Sequence, residues 1–226
     1  MRTVVVTGGC SGIGARIAAA LTADYRVVVA DLSAPAEPLP GVEYLQGDLS
    51  TEQDCARVAA AVDELHGLVH CAGIASFGRF QDMPRAEWER VLRVNVGGTI
   101  GILQALGPRL ADGGRIVLFS SGTVFRGPGG AAVYASSKAA IIGLVHCLAE
   151  EFGERGITVN AIAPGMVLTP LSASIAGTEQ VTIATRAIKR ASTTDDYVDP
   201  VRFFLGEGAG FVTGQTLVVD GGTTRH

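Results

Sequence analysis

Lysine is almost missing from this chain of 226 residues: it occurs only as Lys138 and Lys189, and asparagine only as Asn95 and Asn160. With 18 Lys and Arg against 22 Asp and Glu, a formal charge of −4, there is no basic footprint for a nucleic-acid partner. The four cysteines (Cys10, Cys55, Cys71, Cys147) and four histidines (His66, His70, His146, His226) lack metal-ligand spacing. No metal site is expected, and the thiols read as small, reduced, buried hydrophobes. No uninterrupted apolar run reaches the ~18 residues of a membrane span, and a strand starting at Thr3 leaves no room for a signal peptide. A cytoplasmic location without membrane attachment is therefore expected. Linkers, internal repeats and low-complexity tracts are also missing.

What the chain has in quantity is apolar surface and glycine: 47% hydrophobic residues, a mean hydropathy of +0.33 and 30 glycines. Short apolar runs alternate with longer helical patterns, the signature of βαβ units around a parallel sheet buried on both faces. Strands are expected near 3–7, 26–31, 42–46, 67–71, 115–120, 157–162 and 215–219. Helices are expected near 12–23, 51–65, 84–111, 132–153 and 195–205. The fold class is α/β, a doubly wound parallel sheet of about seven strands with helices on both faces, forming one domain over 1–226. Pro35, Pro38 and Pro40 break any helix after the second strand, which abbreviates that crossover. The segment 169–190 reads equally as a substrate lid or as a plain surface helix.

The first strand runs into Thr7-Gly8-Gly9-Cys10-Ser11-Gly12-Ile13-Gly14 and then a helix. Glycines there let the backbone turn tightly and approach a pyrophosphate, which the amides and positive dipole end of the helix would hold. Asp31 ends the second strand 23 residues past Gly8, close to where a carboxylate reaches the adenosine ribose hydroxyls. It would repel a 2′-phosphate, and neither Cys10 nor Leu32 and Ser33 supplies a compensating cation, so NAD is the expected cofactor. Asp48, followed by Leu49, would bond an adenine amino group or cap the next helix.

Tyr134 and Lys138 lie four residues apart, which on a helix places both on one face. A nearby ammonium favours the phenolate, so the pair reads as a general acid/base with its tuner, against the bland alternative of a surface contact. With the glycine turn beside it, the chain resembles the short-chain dehydrogenase/reductase family, of the compact single-domain Rossmann kind, over essentially its whole length. That family's Thr-Gly-x-x-x-Gly-x-Gly turn matches Thr7, Gly8, Gly12 and Gly14. Its Tyr-x-x-x-Lys is Tyr134 and Lys138. Its catalytic serine lies thirteen residues before the tyrosine, at Ser121, with Ser120 as neighbour, and its helix asparagine is Asn95. Ala161-Ile-Ala-Pro164-Gly165 resembles the family's Pro-Gly turn, placing Thr169 at the nicotinamide carboxamide, and 213–222 resembles its last strand. One departure stands out: where many members have Asn-Ala-Gly after the fourth strand, this chain has Cys71-Ala72-Gly73.

The resemblance implies hydride transfer between a nicotinamide cofactor and a secondary alcohol or ketone. Tyr134 would exchange the proton, Ser121 would hold the substrate oxygen, Lys138 would tune the tyrosine and bind the nicotinamide ribose, and Asn95 would position a relaying water. Gly73, Met166 and Val167 would line the cofactor and substrate space, together with Phe77 and Thr123. These are mostly apolar or small, and imply a small to medium, fairly apolar substrate. Alternatives are an NADPH-dependent ketoreductase, for instance one acting on acyl-carrier-protein substrates, and a non-catalytic dinucleotide sensor. A homotetramer or dimer is implied, buried through the long helices near 84–111 and 132–153.

Overall fold

The computed structural model describes residues 1–175, 177 and 179–225. Valine makes the central strands: β1 (Thr3–Thr7) and β2 (Arg26–Asp31) carry Val4 to Val6 and Val27 to Val29, all buried. β-Branched side chains suit a pleated surface covered on both sides. With β3 (Glu43–Gln46), β4 (Leu65–His70), β5 (Leu110–Phe119), β6 (Thr158–Pro164) and β7 (Thr216–Val219), they form one parallel sheet in the order β3-β2-β1-β4-β5-β6-β7.

The period-two alternation of the strands feeds two cores. Val5, Val28, Leu68, Ile116 and Leu118 pack under α2 (Glu52–Ala60), α4 (Gly98–Leu106) and α6 (Ala132–Glu151). Val4, Val6, Val69, Val117 and Phe119 face the opposite way, toward α1 (Gly12–Leu21) and α8 (Val198–Leu205). Because strand order reverses between β1 and β4, a crevice opens at the carboxyl ends of these strands, where sheets of this kind take ligands.

Several expected elements are cut differently. The helix expected over 84–111 is α3 (Arg85–Leu92), a π-helical turn over Arg93–Gly97, α4, and a 3-10 turn at Gly107–Arg109 before β5 begins. The wide turn is set by tertiary bonds of Asn95, described below. The helix expected to reach 65 stops at Ala60, because Leu65 is drawn into the sheet beside Leu110. The helix expected from 195 starts at Val198, preceded by a 3-10 turn with a Thr193/Asp196 capping box. Residues 34–41 contain no helix, as their prolines predict. In the 169–190 segment, a 3-10 helix (Pro170–Ile175) precedes α7 (Glu179–Thr185), with 176 and 178 outside the described residues. A short helix over Thr123–Arg126, α5, follows β5. By length and composition α6 would pass for a membrane span despite the lack of a long apolar run. Its inner face, however, buries Tyr134, Ser137, Lys138, Ile141 and Val145 within the fold.

Candidate active site

The turn after β1 accepts only glycine at its tightest points. Gly8 has φ +65° and its amide donates to Ala30 O at 2.8 Å. A Cβ there would sit 2.7 Å from the Ala72 backbone, and one on Gly14 would sit 2.1 Å from Gly8 O. The N-cap residue of α1, Ser11, makes no side-chain cap, so the first-turn amides and the positive helix end present a cradle for an anionic group. A Cβ on Gly12 would lie 3.3 Å from Thr169, which brings the segment after β6 over this turn.

Asp31 is pinned at the mouth: Oδ2 accepts from Cys10 N and Oδ1 from Ser33 N, each at 2.9 Å. Burial first, and then the Asp31 carboxylate, push the Cys10 thiol up to about 11, so it is neutral at physiological pH. Asp48 does not cap α2: Thr51 is the N-cap and accepts from Asp54 N, while Asp48 Oδ1 accepts from Ser50 N at 2.9 Å. Hydrogen bonds from Ser50 hold the Asp48 carboxyl below its ordinary value.

A cavity of about 760 Å³ runs from this turn to α6. Gly8, Ser11 to Gly14, Asp31, Leu32, Asp48, Leu49 and Cys71 to Gly73 line one end; Ser121, Thr123, Tyr134, Lys138, Pro164 to Val167 and Thr169 line the other. Its volume and the glycine cradle fit a dinucleotide. Cys10 and Asn95, both expected at the site, do not line it. Cys10 acts through its backbone on Asp31, and Asn95 is buried behind the loop that follows β4.

At the α6 end, the Thr123 amide and hydroxyl both donate to Ser121 Oγ, at 3.2 and 3.0 Å, which leaves the serine proton for another acceptor at this end of the cavity, where the Tyr134 phenol is its neighbour. Ser120, by contrast, donates to Lys138 O at 2.9 Å and ties β5 to α6. The Tyr134 ring packs on Phe77, with centroids 5.6 Å apart. Lys138 follows one turn later, and its Nζ donates to Phe119 O at 2.9 Å. The expectation that Lys138 would lower the Tyr134 pKa needs correction. Burial raises the phenol above its ordinary value, and the group pulling it back is Ser121. Burial also brings Lys138 down to about 8.

Asn95 grips the loop behind the cavity. Its Oδ1 accepts from Ile74 N and its Nδ2 donates to Ile74 O, both at 2.8 Å, and Nδ2 also reaches Ser137 Oγ at 2.9 Å. The Thr99 hydroxyl donates to Asn95 O at 2.6 Å, inside the wide turn that interrupts the helix.

A family model described as enoyl-(acyl carrier protein) reductase matches residues 8–224. The chain belongs to the short-chain dehydrogenase/reductase family. Acetoacetyl-CoA reductase of Allochromatium vinosum is 31% identical, with 100% of this chain and 99% of the relative covered. A short-chain dehydrogenase from Leptospira borgpetersenii with bound NAD+ superposes with a TM-score of 0.87 at 28% identity, covering 99% of this chain and 93% of that one. A blue fluorescent protein from a metagenomic library in complex with NADPH superposes at 0.92 and 28% identity, covering 99% and 98%.

In this short-chain dehydrogenase/reductase, the Cys71 that departs from the family's loop pattern is half-buried at the cavity wall, and desolvation pushes its thiol up. Sequence reasoning passed over Arg93 and Arg126, which border the cavity, and above all His70. A lone histidine ending an apolar strand carries no local signal. Its partners, Thr7 at 2.7 Å and Thr99 at 2.9 Å, are distant in sequence. Burial, and then the Lys138 charge, lower the His70 pKa from 6.5 to about 3.

Above about pH 6.5 the ring is neutral folded and unfolded; below it only the unfolded chain takes the proton, so stability falls with pH until about 3. Relative to His70→Gln, the wild type should lose on the order of 3 kcal/mol between about pH 6.5 and 4 in urea titrations. Parallel pH curves for the two proteins would contradict the burial of a neutral ring.

Proposed function

We propose that the protein is an NAD(H)-dependent oxidoreductase that interconverts a secondary alcohol and a ketone. The observation that carries this is the Ser121, Tyr134 and Lys138 arrangement at one end of a cleft whose other end is a glycine cradle. When bound, the nicotinamide cofactor gives or takes the hydride. The protein's part is proton handling and alignment. Tyr134, neutral and buried, gives its proton to the substrate oxygen in reduction and takes it back in oxidation. Ser121, held by Thr123, donates a second hydrogen bond to that oxygen. Lys138 places a positive charge near the phenol as the proton leaves, and Asn95 fixes the loop against which both lie. Phe77, Met166 and Leu171 give the wall an apolar character, which supports a small to medium, fairly apolar substrate. Thr169 to Ser172 and Thr182 border the same space, which supports a covering role for the 169–190 segment.

The Asp31 carboxylate, fixed from two backbone amides at the cavity mouth, supports NAD over NADP, because a 2′-phosphate there would meet a like charge. A second reading, an NADPH-dependent ketoreductase, draws support from the acetoacetyl-CoA reductase relative and the NADPH-bound neighbour. Initial rates across a panel of ketones separate the two. The expected kcat/KM with NADH is at least about tenfold that with NADPH, an advantage that Asp31→Ala should largely erase. A faster NADPH reaction in the wild type would refute the NAD assignment.

A further inference from the structure

His70 belongs to no part of the proton machinery, yet it is fully inside the protein and hydrogen-bonded at both ring nitrogens. The hydroxyl of Thr99 has a single proton, which it must give to Asn95 O, since a carbonyl can only accept. Toward His70 Nε2, Thr99 is therefore an acceptor, and Nε2 carries the proton. In the neutral ring Nδ1 is then bare and accepts from the Thr7 hydroxyl, whose oxygen in turn accepts from Ala72 N at 3.4 Å. Every donor direction in the chain Ala72, Thr7, His70, Thr99, Asn95 is fixed.

The chain closes on itself. Asn95, at its far end, holds both backbone atoms of Ile74, two residues beyond Ala72 where it began. Between these two clamps lies Gly73, where an added Cβ would come 3.1 Å from Asn95 Oδ1 and 3.2 Å from Lys138 Nζ. We propose that His70, with its one proton on Nε2, is a positioning residue that ties the Asn95 turn to the 72–74 loop and so sets the cofactor-facing surface. The loop that has Cys71 in place of the family's usual asparagine is held from beneath instead. Among the described residues, the charged group that acts on the ring is the Lys138 ammonium, whose field opposes a second proton; the adjoining Cys71 thiol is kept neutral by desolvation.

The first test needs no substrate and uses the unliganded wild type. Histidine 1H–15N correlation spectra of labelled protein, assigned with His70→Gln, should show His70 protonated at Nε2 and bare at Nδ1 from about pH 5 to about pH 9. A proton on Nδ1, or a charged ring within that range, overturns the proposal. The second test is NADH titration by fluorescence and rests on the dinucleotide reading, so its failure is separable from that of the first. Gln places its amide nitrogen where Nε2 donates, whereas Asn reaches only the Nδ1 position and leaves Thr99 without a donor. His70→Asn and Thr99→Val should weaken NADH binding about tenfold, with His70→Gln and Thr99→Ser within about twofold of wild type, all at assay temperatures below their measured Tm. Wild-type affinity in His70→Asn and Thr99→Val, or equal loss in all four variants, refutes the positioning role.

Discussion

Tyr134→Phe should lower kcat by about a thousandfold or more while leaving NADH affinity within about twofold, a loss in the range expected for a positioned general acid. The ring stays: phenylalanine keeps the packing on Phe77 and the buried surface, so nothing else in α6 needs to move. The oxygen goes, and with it the cavity-facing phenol next to Ser121 that has a proton to exchange. Ser121 still binds the substrate oxygen through one hydrogen bond, and Lys138 still donates to Phe119 O, so the cofactor surface is preserved. Stopped-flow hydride transfer and a binding isotherm on the same preparation decide it. Equal loss of binding and turnover would mean that Tyr134 is structural. Retained turnover would place the acid elsewhere.

Gly14→Ala should do the reverse, damaging the cofactor end while leaving Ser121, Tyr134 and Lys138 in place. Its Cβ would stand 2.1 Å from Gly8 O and 2.8 Å from Gly8 C, both backbone atoms in a turn that itself touches Ala72. Neither side can yield as a flexible side chain would, so α1 must swing off the end of β1. An overpacking cost of about 2–3 kcal/mol translates to a Tm lower by about 4–12 °C for a chain of this size. NADH affinity should fall at least about a hundredfold, because the first-turn amides no longer converge on the cradle. Gly143→Ala is the matched control: nothing lies within 4 Å of its added methyl, and within α6 it should stabilise by up to about 1 kcal/mol. If both variants melt and bind alike, the turn is not the constraint described.

These effects show which parts of the molecule can be read from the chain and which cannot. The glycine turn is local: a strand of valines ends, and four glycines fall where the backbone must fold back within seven residues. The Tyr134 and Lys138 pair is local as well, set by helical periodicity. Two errors have tertiary causes. The helix expected through 84–111 breaks at 93–97 because Asn95 and Thr99 satisfy partners outside and inside the turn, and no residue there signals it. The Tyr134 pKa goes up rather than down because burial depends on everything that covers the phenol, whereas spacing shows only one neighbour. Thr193 with Asp196 is a capping box visible in the sequence, and it opens the 3-10 turn that leads into α8 at Val198.

Tyr134 and Lys138 ride on one twenty-residue helix, and Ser121 lies just beyond β5, which Ser120 fastens to that helix. The segment beyond β6 is anchored separately, through Arg186 to Met166 O at 2.7 Å and Ile188 N to Gly221 O at 2.9 Å. On the proposed covering role of the 169–190 segment, the outer wall of the cavity and the proton-handling residues thus hang on separate elements.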